Sequence, residues 1–206
     1  MINMSNVKKH YKFRLDEIRK NEVEKGKVVL VGDCVFDNIQ LDELIDDEII
    51  YNNGICGDTT ILLKDTLYKR AIKYKPSTLF LSIGSNDIGF DKRDVKEVYN
   101  NIVEIINEVK LRSKDTTIVV MSVLPVNPVH QDHINRDYVD KRSNFDINML
   151  NYYIRNYTSR NRIKFLNLNP HLANNFEQLN LEYTSDGFHL NEQGYEVLSE
   201  LILQYV

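Results

Sequence analysis

The chain has 206 residues, 42% of them hydrophobic and 27% charged, with a net charge of −4. This is enough for one globular domain with a sizeable core, and the evenly scattered lysines and arginines give no basis for nucleic-acid binding. No apolar run reaches the length of a membrane span, and Met1–Lys20 lacks the apolar segment and cleavage site of a secretory signal, so a cytoplasmic protein is expected.

No internal repeat, low-complexity tract or linker divides residues 1–206, and a single domain is expected. A helical extension over residues 1–25, with Tyr11, Leu15 and Ile18 on one face, is expected to pack outside the rest. Strand-like apolar runs then alternate with helical patterns. The strand candidates are Val28–Val31, Glu48–Tyr51, Thr78–Ile83, Thr117–Val123 and Ile163–Leu166, several of them rich in Val, Ile and Leu without alternation, as in strands buried on both faces. The helical stripes are Leu63, Leu67 and Ala71; Val95, Val98, Ile102, Ile105 and Val109; Ile147, Leu150 and Ile154; and Tyr195, Leu198, Leu201 and Ile202, the last with Asn191 as N-cap. This alternation predicts an α/β fold with a parallel sheet between helices. In such sheets a ligand site lies beyond the carboxyl ends of the strands.

Four short motifs fall at those ends. Gly32-Asp33-Cys34 follows the first strand, with Gly32 permitting a sharp turn and Cys34 opening the next helix, where a dipole lowers a thiol pKa. Asn52-Asn53-Gly54-Ile55-Cys56-Gly57-Asp58-Thr59 follows the second. Asp58 or Thr59 would cap a helix there, and the Gly57 N–H can face a developing oxyanion. Gly84-Ser85-Asn86-Asp87 follows the third, and Asn86 can donate its amide to the same oxyanion. Asp186-Gly187-Phe188-His189 precedes the final helix; His189 can take and return a proton while Asp186 orients its other ring nitrogen. Each motif alone reads equally well as a turn, a cap or a buried thiol. Together they supply a nucleophile, oxyanion donors, a base and an orienting acid, the inventory for acyl transfer.

With these motifs in this order, the chain from about Val28 onward resembles the SGNH (GDSL-type) hydrolases, and among them the bacterial members similar to platelet-activating-factor acetylhydrolase subunits. The resemblance implies a three-layer α/β/α sandwich, flavodoxin-like, with a five-stranded parallel sheet. It implies Cys34, Asp186 and His189 as catalytic residues. The N–H groups of Cys34 and Gly57 and the amide of Asn86 would form the oxyanion hole, with no metal and no cofactor. It further implies a small-molecule acyl ester as substrate. The sequence does not fix the oligomeric state, and it allows a homodimer. Two positions depart from the family pattern: Cys34 stands where the family has its nucleophilic serine, and Val35 replaces a leucine.

A thiolate at Cys34 would carry acyl transfer through a thioester, giving a hydrolase of short-chain esters or thioesters. Sulfur is also larger than oxygen, and about 1 Å of misplacement can cost on the order of a hundredfold. The alternatives are therefore a weakly active ligand-binding or sensor protein built on a hydrolase pocket, or an acyltransferase. A reversible Cys34–Cys56 disulfide would block the nucleophile, provided the Cα atoms come within about 7 Å. His130 and His133, in the polar stretch Asn127 to Arg136, have no evident third metal ligand nearby and suggest a solvated loop over the site. Nothing in the sequence selects Arg142 or any of the 12 tyrosines as a substrate contact, or gives His10 and His171 a role.

Overall fold

A computed structural model describes residues 4–40 and 49–206. Helix α1 (Met4–Lys20) comes first. The strands are β1 (Val28–Gly32), β2 (Ile50–Gly54), β3 (Thr78–Ser82), β4 (Thr117–Met121) and β5 (Lys164–Leu166). Interleaved with them run α2 (Cys34–Asp37), α3 (Thr60–Arg70), α4 (Ser85–Gly89), α5 (Val95–Arg112), α6 (Arg136–Val139), α7 (Asn144–Arg160), α8 (Asn169–Leu172) and α9 (Glu192–Leu203). The five strands pair in parallel in the order β2-β1-β3-β4-β5, the flavodoxin-like arrangement.

The two faces of the sheet bury separate cores, because successive strand residues point to opposite sides. Val29, Val31, Leu79, Leu81, Ile118 and Val120 pack against Leu63 and Leu67 of α3, Ile102 and Ile105 of α5, and Leu150 and Ile154 of α7. Val28, Leu30, Phe80, Val119 and Met121 pack on the other face against Phe36 of α2 and Leu198, Leu201 and Ile202 of α9. The result is the expected three-layer α/β/α sandwich. Each fully buried aliphatic side chain contributes about 1.5–3 kcal/mol to it.

Local chemistry sets the element boundaries. Asp33 caps α2, Thr59 caps α3 and Asn191 caps α9, each accepting a backbone N–H through its side chain. β2 starts and ends later than its apolar run suggested. Polar Asn52 and Asn53 are held in it by their amide N–H groups, Asn52 donating to Phe36 O (2.7 Å) and Asn53 to Arg70 O (2.6 Å). Glu48 lies outside the described residues. β4 ends at Met121, since Val123 leaves the ladder to exchange two 2.8 Å hydrogen bonds with the Asn151 amide.

Register brings the site together. Gly32 pairs with Gly54 on one side and Ser82 on the other, so β1, β2 and β3 end at one level. The three segments that leave these ends carry three of the four motifs. Gly32 is required there, because a β-carbon would overlap the Ser82 carbonyl.

Candidate active site

β1 delivers Cys34 at the first position of α2, 8% exposed, with Asp33 buried behind it. β2 leads into the turn carrying Cys56 and Gly57. Gly57 has φ +81°, and a β-carbon there would run into Val7 Cγ1 of α1. β3 leads into α4 and its buried Asn86. The fourth motif reaches the same place from the far end of the chain. Asp186 Oδ1 accepts from the Phe188 N–H (2.9 Å) and the His189 N–H (2.7 Å), closing a tight turn. Asp186 Oδ2 lies 2.7 Å from His189 Nδ1. The remaining ring nitrogen is left for Cys34, whose side chain is within hydrogen-bonding reach of His189, of Cys56 and of the Gly57 N–H.

These contacts set the electrostatics. Cys34 is held well below the ordinary thiol range, first by its hydrogen bond with Cys56 and then by His189 and the Gly57 N–H, against the cost of burial. Burial pulls His189 down, but its bonds to Asp186 and Cys34 outweigh that and raise the imidazole to about 9. Asp186 resists its own burial and is lowered by His189. Cys56 is raised by its bond to Cys34 and by burial, so it remains a thiol and donates. Each of the two groups favours the charged form of the other: the thiolate of Cys34 raises His189, and protonated His189 lowers Cys34. The sequence suggested a helix dipole as the source of acidity at Cys34. Cys34 does open α2, a single turn of four residues, and hydrogen bonds with Cys56, His189 and the Gly57 N–H lower it there.

Buried polar contacts behind the motifs lock the loops in place. Arg70, fully buried on α3, donates to Asp58 Oδ2 (2.5 Å), Gly32 O (2.9 Å) and Asn53 O (2.8 Å), tying the ends of β1 and β2 together. Asp87 takes the Thr60 N–H (2.9 Å) and hydroxyl at the start of α3. Asn86 donates its amide to Asp58 O (2.9 Å) and accepts from Arg142 (2.9 Å). The stretch expected to be a solvated loop is partly built into the site. Asn127 is buried, its N–H on Gly187 O (2.8 Å), and Asn135 donates to Asp186 O (2.9 Å), so this segment braces the His189 turn. His130 and His133 are exposed, and among the described residues no group of three His, Cys, Asp or Glu could hold a metal ion.

Above Cys34 lies a cavity of about 620 Å³. Cys34, Gly57, Asn86 and His189 line it together with Val7, Tyr11, Ile61, Leu62, Phe90, Tyr138 and Phe188. The contribution of α1 was missed by sequence reasoning, which placed this helix outside the sheet and left His10 without a role. α1 is clamped over the site by Asp37, which forms an ion pair with Arg14 (Nε–Oδ1 2.7 Å), pairs with His10 Nε2 (2.5 Å) and also takes the Cys56 N–H (2.8 Å). Charged residues run along the whole of α1, so nothing in its sequence set Arg14 or His10 apart as partners of Asp37.

A parallel α/β/α sandwich whose β1, β2 and β3 ends present a Cys–His–Asp line beside glycine and asparagine donors is the framework of an acyl-transfer enzyme. Residues 38–197 match the model of the GDSL-like lipase/acylhydrolase family, and the chain belongs to that family, the carboxylic ester hydrolases of the SGNH type. It is similar to the structure of a protein from Streptococcus pneumonia named for platelet activating factor, with 30% identity, 98% of this chain and 95% of that chain covered, and a TM-score of 0.87. A GDSL-like lipase from Bacteroides thetaiotaomicron VPI-5482 shares the fold, with 22% identity, 98% coverage of both chains and a TM-score of 0.76. The N-acylneuraminate cytidylyltransferase of Escherichia coli O18:K1:H7 (strain RS218 / NMEC) is 28% identical over 194 residues. That match covers 94% of this chain but only 43% of the relative's length. No helix among the described residues is long and apolar enough to cross a membrane.

Proposed function

We propose that this chain hydrolyses short-chain acyl esters through a covalent thioester at Cys34. The observation that carries the reading is the line Cys34–His189–Asp186, with the Cys34 thiol lowered and the imidazole raised to about 9. The thiolate attacks the ester carbonyl. The oxyanion is received by the N–H groups of Cys34 and Gly57 and by the second amide hydrogen of Asn86, the first being held on Asp58 O. The His189 imidazolium protonates the departing alkoxide as the tetrahedral adduct collapses to the thioester. Neutral His189 then takes a proton from water, which attacks the thioester. Collapse of that second adduct releases the acid and restores the thiolate beside the imidazolium, while Asp186 keeps His189 Nδ1 oriented throughout.

Two features favour a short acyl chain and a polar alcohol. Val7 stands directly over Gly57, and Tyr11 continues the same wall, so space beside the oxyanion donors is limited. Lys8 puts a cation in the cavity lining. The name of the curated relative points to N-acylneuraminate, a carboxylated sugar. An O-acetyl ester of such a sugar acid therefore joins p-nitrophenyl acetate as a first substrate. Hydrolysis of either, lost in His189→Ala, is the expected result; full activity in that variant overturns the assignment of His189.

A further inference from the structure

Asn86 is useful as an oxyanion donor only if its amide nitrogen, not its oxygen, faces the reacting carbonyl. The two orientations have almost the same shape, so something must choose between them. On one side of the amide stands the Asp58 carbonyl, which can only accept. On the other stands the Arg142 guanidinium, which can only donate. Arg142 Nη2 lies 2.9 Å from Asn86 Oδ1, which fixes the oxygen away from the site.

The same side chain also touches the opposite half of the site. Its Nε donates to Ser85 Oγ (3.0 Å) and Nη1 to Tyr138 O (2.8 Å). Its guanidinium carbon lies 3.9 Å from the centre of the Phe188 ring, one residue before His189. The Tyr138 ring in turn stands edge-on to His189 at 4.8 Å. Arg142 is 6% exposed, and Gly89 leaves it room: a β-carbon at 89 would lie 2.7 Å from the guanidinium carbon. It is not part of the cavity lining.

We infer that Arg142 is a positioning residue that selects the donating orientation of Asn86 and holds it in register with the His189 turn. The inference rests on the hydrolase reading. Lysine cannot replace it, because an ammonium cannot span Ser85, Asn86 and Tyr138 as the planar fork does.

Two reactions of the same thiol separate this role from a general effect on folding. Acetylation of Cys34 by p-nitrophenyl acetate builds an oxyanion, whereas alkylation by iodoacetamide needs the thiolate but no oxyanion donor. In Arg142→Met, the single-turnover acetylation rate should fall by about 10²–10³-fold, the cost of losing one oxyanion donor, with alkylation largely unchanged. Arg142→Lys, which keeps the charge, should show the same selective loss. Asn86→Ala should cost the wild type a similar factor and cost the Arg142→Met protein little more. Wild-type acetylation in both Arg142 variants overturns the inference. So does a parallel fall of acetylation and alkylation, or full additivity with Asn86→Ala. A wild-type Cys34 acetylated no faster than a free thiol of equal alkylation rate overturns the hydrolase reading, and this inference with it.

Discussion

Exchanging one atom, sulfur for oxygen in Cys34→Ser, should change the pH dependence of the reaction more than its maximum. On the proposed mechanism the wild-type nucleophile is Cys34, its thiol held well below the ordinary range, with His189 raised to about 9. Against the ordinary histidine value of 6.5, that shift corresponds to about 3 kcal/mol of preference for the charged imidazole, supplied by Asp186 and Cys34 against the cost of burial. Catalysis through a thiolate and an imidazolium therefore extends from the lowered thiol pKa up to about 9, and for esters of ordinary alcohols falls above it as the departing alkoxide loses its acid. Serine does not ionise in this range, so its attack requires neutral His189. Removing Cys34 also removes its hydrogen bond and its charge, so the imidazole pKa drops from about 9 toward the ordinary value, with Asp186 alone still raising it. The kcat/KM of Cys34→Ser should then climb with pH through that pKa. Below it the wild-type-to-variant ratio widens about tenfold per pH unit, reaching about a hundredfold two units below. The assay is kcat/KM for p-nitrophenyl acetate across pH for both proteins. Acid limbs that coincide would refute the preformed ion pair.

His189→Ala should lower ester turnover by about 10²–10⁴-fold, as measured by p-nitrophenol release. Val7→Ala should raise the ratio of butyrate to acetate hydrolysis several-fold, since each added methylene that finds room is worth about 0.8 kcal/mol; an unchanged ratio removes α1 from the specificity wall. Arg70→Met leaves the fully buried Asp58 without its cation, at a cost of about 3–5 kcal/mol, and thermal denaturation should show it as a Tm loss of about 2–4 °C per kcal/mol. Dilute hydrogen peroxide should consume Cys34 and Cys56 together. The Cys34 thiolate is oxidised to the sulfenic acid, which condenses with the Cys56 thiol and expels water. Thiol titration and dithiothreitol recovery report this, and two thiols that stay free refute it.

The parts of the fold and site that were legible in the sequence are those written in local patterns. Continuous apolar runs marked the strands because a parallel sheet is buried on both faces, and β1 is buried along its whole length. Asn191 was readable as a cap because capping uses a short side chain at a fixed offset. Three of the four motifs were readable because the carboxyl ends of β1, β2 and β3 converge at one end of such a sheet; the fourth, 20 residues after β5, was readable from its Asp-x-x-His spacing. What escaped is carried by single contacts between distant segments. Asp58 looked like a candidate helix cap, yet it is the buried partner of Arg70. Arg142 had no distinguishing neighbourhood in sequence, because Ser85, Asn86, Tyr138 and Phe188 meet it only in three dimensions. The stretch from Asn127 to Arg136 is polar enough to pass for solvated loop, while its buried Asn127 and Ile134 brace the His189 turn. α1 became part of the wall of the cavity above Cys34 through Arg14 and His10 meeting one buried carboxylate, Asp37.

The central claim is that the acyl group passes through Cys34. Rapid acid quenching of the protein during turnover of p-nitrophenyl acetate, followed by intact-mass and peptide analysis, tests it directly. The account predicts one added acetyl group on the peptide bearing Cys34, with its decay matching steady-state turnover and accelerated by hydroxylamine. Turnover with no adduct, or an acetyl group confined to Cys56 or another residue, would contradict it.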